Sequence, residues 1–197
     1  MIRALVRASA LMAALVAGMS TAKAQLPEPP GCAEAASAVR ARTSADRYGL
    51  GLRELIGCPQ TGPRALAEEW ARGPIDKASV KALAGASGTL RDRRVHAALE
   101  RAALDETQPQ WVRLAALQAL VRHYDPSLAV EFRESPPGHA GRIFVMLGSW
   151  TGDPIEGSEP LGPETRSAVL AALETLGQSS DTTIGRIAVD LAKRLPR

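Results

Sequence analysis

From Thr89 to the C-terminus, apolar residues recur every three or four positions, and this periodicity limits the fold more than any other feature of the chain. Val95, Ala98, Leu99 and Ala102 form one stripe, and Leu114, Leu117 and Val121 a second. Val169, Leu170, Leu173 and Leu176 form a third, and Ile184, Ile187, Ala188, Leu191 and Leu195 a fourth. A stripe at this spacing lies on one face of an α-helix and has to be buried against another element. The expected class is all-α, with helices packed face to face.

Punctuation residues divide the stripes. Thr89 and Asp92 stand at capping-box spacing ahead of the first. The loop Asp105 to Pro109 leads into a helix over Gln110 to His123, which Asp125 and Pro126 end. Pro163 to Leu176 and Asp181 to Leu195 read as the two closing helices, with Lys193 and Arg194 placed against the negative end of the last. Upstream, Cys32 to Tyr48 reads as a helix, Gly49 and Gly51 interrupt it, and Leu52 to Ile56 is a short second one. Pro63 opens a stretch through Trp70 that Gly73 and Pro74 close, and Ile75 to Ala84 follows with Val80 and Leu83 on one face. Between Arg133 and Pro163, five prolines and six glycines surround one apolar run, Ile143 to Leu147. That run reads either as a buried strand or as a short core helix.

The first 24 residues form a unit of their own. Arg3 and Arg7 precede the apolar run Ala10 to Met19, and Ala22, Lys23 and Ala24 make a small-x-small site. These are the three parts of a secretory signal peptide. The apolar run is well short of the roughly 20 residues that span a bilayer. No cysteine stands at the cleavage point to take a lipid, since Cys32 follows Pro29, Pro30 and Gly31. Removing the peptide takes three of the 24 basic residues and none of the 21 acidic ones, so the +3 of the whole chain falls to zero. Nucleic-acid binding then has no electrostatic basis. The remainder, residues 25–197, is one domain in length. The chain has no Asn and four Lys against twenty Arg, the bias of a GC-rich bacterial genome. The expected location is periplasmic or secreted.

Export delivers Cys32 and Cys58 to an oxidising compartment, where a pair forms a structural bridge. Closing the segment between them stabilises the fold by roughly 3–4 kcal/mol in the chain-entropy account. No CxxC spacing or activating neighbour suggests redox chemistry.

Residues 95 to 122, VHAALERAALDETQPQWVRLAALQALVR, make two striped helices joined by a short acidic, proline-bearing turn. This segment resembles a HEAT-type repeat, its second helix matching the family pattern VRxxAxxAL at Val112, Arg113, Ala116, Ala119 and Leu120. PETRSAVLAALETLG, from Pro163, is similar, with Thr165, Arg166, Val169, Ala172 and Leu173 in the same places. The resemblance implies an α-α superhelix of stacked helix pairs, with residues 133–163 as an irregular insertion and 32–58 as a disulfide-tied N-terminal segment. It also implies that Arg113 and Arg166 brace neighbouring repeats, and that the chain is a protein-interaction scaffold.

Candidate chemistry is sparse. His96, His123 and His139 have no metal-ligand spacing, so neither a metal nor a cofactor is expected. His96 is placed on a polar helix face, and His123 at a helix end where a cation is favoured. Ser149 in LGSWTG lacks the GxSxG order of a nucleophile turn. Arg91, Arg93 and Arg94 read as a solvated basic face. The insertion is the place to look for binding: Trp150 can anchor a partner, Asp153, Glu156 and Glu159 can select its charge, and His139 lies nearby. The three carboxylates lack the dense ligand pattern of a calcium loop.

These readings define a non-catalytic exported interaction module with a protein partner and no transmembrane segment after processing. The alternative is a small periplasmic hydrolase or ligand-binding protein with a pocket over residues 139–162, formed by His139, Ser149 and Trp150. A peripheral membrane role finds no basic amphipathic helix with aromatic anchors. Protein recovered from the exporting cell should begin at Gln25 by N-terminal sequencing; a start at Met1 would contradict processing.

Overall fold

The computed structural model describes residues 27–73, 76–134 and 143–195. Residues 1–24, read above as a signal peptide, His139, and Pro74 with Ile75 lie outside them. The described chain is predominantly rather than wholly α, with eight helices and two small sheets.

Helices α1 (Cys32–Ala41) and α2 (Ala45–Ile56) form the first layer. Ser44 Oγ accepts from Arg47 N–H at the start of α2. Gly49 and Gly51 lie inside α2 rather than interrupting it. The reason is packing: a Cβ on Gly51 would stand 2.9 Å from Val39 Cγ2 and 3.0 Å from Ala35 O, so glycine here lets α1 and α2 touch. The Cys32–Cys58 disulfide ties the head of α1 to the turn after α2.

Helix α3 (Thr61–Arg72) begins two residues before Pro63. Its first free N–H groups are taken by the Glu28 carboxylate, which accepts from Gln60 N at 2.9 Å and from Thr61 N, and from Thr61 Oγ1 at 2.6 Å. A Cβ on Gly62 would fall 2.1 Å from Leu55 O, so α3 leaves the α2 end with no room for a side chain. Glu69, 2% exposed, is held by Arg42 and by Arg72 at 3.2 Å, as a buried carboxylate requires.

Helix α4 (Lys77–Thr89) is capped by Asp76, which accepts from Ser79 N at 2.8 Å. Thr89 closes α4 instead of opening the next helix, its hydroxyl donating to Gly85 O. After strand β1 (Leu90–Arg91), Asp92 alone caps α5 (Arg93–Leu104), accepting from Arg94 N at 2.9 Å.

Helix α6 (Gln110–Tyr124) is the centre of the molecule. Val112 to Leu117 and Ala119 to Tyr124 are all buried, so the single stripe seen in its sequence is only part of what packs. Helices α4 and α5 cover it, α7 (Glu164–Leu176) and α8 (Thr182–Arg194) also pack on it, and strand β2 (Leu128–Glu134) contacts it as well. Arg113, 3% exposed, donates from Nε to Ala103 O and from Nη2 to Ser179 Oγ, both at 2.9 Å, joining the end of α5 to the α7–α8 turn. Arg166 lies 5.5 Å over the Tyr124 ring.

The insertion is a hairpin that starts before residue 133. Strand β2 pairs antiparallel with β3 (Ile143–Ser149), from Leu128 opposite Ser149 to Glu134 opposite Ile143. The strand alternative for Ile143 to Leu147 therefore holds. The alternation of Leu128, Val130 and Phe132 with Glu131 and Arg133 is the period of two that a half-buried strand shows. Strand β4 (Ile155–Glu156) pairs parallel with β1. Among the described residues no helix is long and apolar enough to cross a membrane.

Gly62→Ala should lower stability by about 1–3 kcal/mol, the cost of overpacking a tight contact. Chemical denaturation with the disulfide intact measures it; an unchanged midpoint would mean that α2 and α3 separate freely.

Candidate functional site

Two carboxylates of the insertion, Glu156 and Glu159, find their partners in Arg91 and Arg94 of the basic cluster. Residues 155–160 lie as a strap over the start of α5. Gly157 N donates to Arg91 O at 3.0 Å, Ser158 N to Pro59 O at 2.8 Å, and Arg93 N to Glu159 O at 2.9 Å. Asp92, fully buried, caps α5 with one oxygen and accepts from Glu159 N with the other at 2.9 Å. A Cβ on Gly157 would sit 2.5 Å from that second oxygen, so the strap needs glycine there. Glu156 pairs with Arg91 at 3.1 Å and Glu159 with Arg94 at 3.5 Å. Such exposed pairs stabilise weakly one by one, but here they accompany a buried cap and three backbone–backbone bonds.

Beneath the strap, His96 and His123 stack with ring centroids 5.5 Å apart and Nδ1 atoms 3.3 Å apart. His123 is fully buried, not a solvated helix-end cation. Its Nε2 is 2.8 Å from Ser87 O, and since a carbonyl only accepts, Nε2 carries the proton. The His123 Nδ1 must then accept from His96 Nδ1, which leaves the buried His96 Nε2 without a partner. Burial, together with the neighbouring His96 and Arg91, pushes His123 down to about 3, and burial with Arg91 lowers His96 as well. Both rings are neutral spacers between α5 and α6.

Trp150 follows β3. Its N–H donates to Ser127 O at 2.7 Å, and its ring covers the Arg122 guanidinium at 4.0 Å. Ser149 is exposed at the end of β3, and among the described residues no histidine or carboxylate hydrogen-bonds it. Asp153 is exposed. Trp150, Asp153, Glu156 and Glu159 thus do not converge: Trp150 lies on α6, and the two glutamates on α5. No group of three or more His, Cys, Asp or Glu side chains among the described residues is arranged to hold a metal ion.

The hairpin instead borders two concavities. Along β3, a groove of about 640 Å³ runs between Phe144 and Val189 of α8, where Arg186 donates to Ile143 O at 2.7 Å and Arg194 to Val145 O at 3.2 Å. Along β2, a cleft of about 780 Å³ opens between the hairpin, α4 and α6. Trp111, Phe132 and Trp150 contribute aromatic surface to it, and Lys77, Lys81 and Arg122 contribute charge. Of these residues the sequence pointed to Trp150 alone. A signal was present in Lys77 and Lys81, two of only four lysines, spaced one helical turn apart. Nothing linear connects them to Trp111 or Phe132.

No protein-family model matches the chain, and no significant match to it was found among curated proteins or solved structures.

The neutral histidine pair carries a pH dependence of known sign. In the unfolded chain a histidine takes up a proton near 6.5, whereas His123 in the fold resists until about 3. The stability from burying it neutral is complete above pH 6.5 and is lost as the pH falls towards 3. The parent should show a falling denaturation midpoint between pH 7 and 5. His123→Gln, which can still donate to Ser87 O, should show a flatter profile by about one proton; identical profiles would place the sensitivity elsewhere.

Proposed function

We propose that this chain is an exported, non-catalytic interaction module: a HEAT-like stack of helix pairs whose β-hairpin insertion meets a protein partner. The adjacent pairs α5–α6 and α7–α8 support the frame, as does Arg113, which spans from one pair to the next in the bracing role that the resemblance implies. The leader sequence and the Cys32–Cys58 bridge support export to the periplasm or beyond.

The observation that carries the reading is the outward face of β3. Phe144 is 53% and Met146 47% exposed, and Val189 of α8 is 42% exposed beside Phe144. Exposed aromatic and methionine side chains grouped on one face are the composition of an interface core rather than of ordinary surface. Arg186, Lys193 and Arg194 line the same groove against one acid, Asp190, so the favoured partner offers an apolar anchor with an acidic rim.

Affinity capture from envelope extract with residues 25–197 tests the proposal. The parent and a control, Glu174→Ala on the exposed side of α7, should retain one and the same protein. Phe144→Ser/Met146→Ser should lose it while keeping the parent's circular dichroism. Equal capture by the double variant, or no capture by the parent under mild crosslinking, would overturn the reading.

A further inference from the structure

The cleft along β2 is distinct from the groove along β3, and its charges do not balance. Its walls are apolar: Val80 and Ala84 from α4, Trp111 and Leu114 from α6, and Val130 and Phe132 from β2. Lys81, Arg122 and Arg133 line it together with one acid, Glu131. That acid is already bonded to Arg133 at 2.9 Å. Among the described residues, neither Lys81 nor Arg122 has a carboxylate partner in the cleft.

Arg122 sharpens the point. It is 5% exposed and roofed by Trp150, yet no carboxylate among the described residues pairs with it. Its Nη1 donates to Thr89 Oγ1 at 3.3 Å, and its buried Nε has no partner. Among the described residues the buried acids Glu69 and Asp92 are each paired with arginine, and buried Arg113 satisfies both Nε and Nη2 with a carbonyl and a hydroxyl, whereas Arg122 leaves its Nε without an acceptor. A buried guanidinium lacking its anion is costly, and a ligand that supplies the anion recovers that cost on binding. The volume of the cleft is in the range of sites that enclose small molecules, with apolar walls and few polar groups.

We propose that this cleft binds a small amphipathic anion, its apolar or aromatic body against Trp111 and Phe132 and its acidic head between Lys81 and Arg122. Trp150 closes over the head from the hairpin side. Lys81 is exposed at the mouth and sets the sign of what enters; Arg122 holds the head group at depth. No covalent step is involved.

Laurate, kept below its micelle concentration, is the probe, followed by calorimetry and by the fluorescence of Trp111 and Trp150. Its cationic counterpart of equal chain length, dodecyltrimethylammonium, is the control. One laurate per chain should bind and the cation should not. Lys81→Glu, at an exposed position that leaves the core intact, should weaken laurate about tenfold or more, the loss of one charged contact. Lys81→Arg should restore it. A parallel titration with phosphatidylglycerol vesicles separates a free amphiphile from a lipid surface. No laurate binding, equal binding of the cation, indifference to Lys81→Glu, or binding to vesicles alone would each overturn the assignment. None of these outcomes bears on capture through Phe144 and Met146, so the two readings fail separately.

Discussion

The burial of α6 on nearly every side is the constraint on which the rest of the structure depends. A helix that is apolar all round cannot stand at a surface, so it needs a complete shell of neighbours. Here α4, α5, α7, α8 and β2 supply that shell. The polar residues carried inward with it, Arg113, Arg122 and His123, then each require a local solution. Arg113 finds a carbonyl and a hydroxyl, and His123 finds Ser87 and His96. Arg122 finds an aromatic roof and one hydroxyl but no anion.

The same logic explains how the insertion is used. Its second half carries the carboxylates and docks on the Arg91–Arg94 cluster, where charge and backbone bonds are mutually satisfied. Its first half, the hairpin, is left with apolar side chains facing outward on β3 and a cation-rich cleft beside β2. One segment thus divides into a structural strap and a hairpin flanked by concave surfaces. Surface that is neither compensated nor covered is where binding is to be sought, and on that ground the groove and the cleft are proposed as sites.

The residues singled out from the sequence met different fates for identifiable reasons. Trp150 reached the edge of the cleft, where its backbone N–H bonds Ser127 O and its ring stacks on Arg122. Glu156 and Glu159 looked like free acids because their arginines lie more than sixty residues upstream. His96 and His123 looked unrelated for a similar reason: they stand 27 residues apart, on separate helices, and only the packing of α5 on α6 stacks them. Gly49 and Gly51 read as breakers because local propensity disfavours glycine in a helix; the contact between α1 and α2 reverses that preference at Gly51. The strand over Leu128 to Glu134 was hidden by its short alternation next to a helix with a longer apolar pattern.

The sequence by itself determined the helical class, the places of most helices, the capping aspartate at Asp92, and the pairing of the two available cysteines. These follow from periodicity and from chemistry acting within a few residues, or from there being only one possible partner. Only the tertiary structure decided which charges neutralise one another, which histidines lose their protons, and which cations are left facing a cleft. Those outcomes depend on burial and on contacts between residues far apart in the chain, and neither spacing nor composition carries that information.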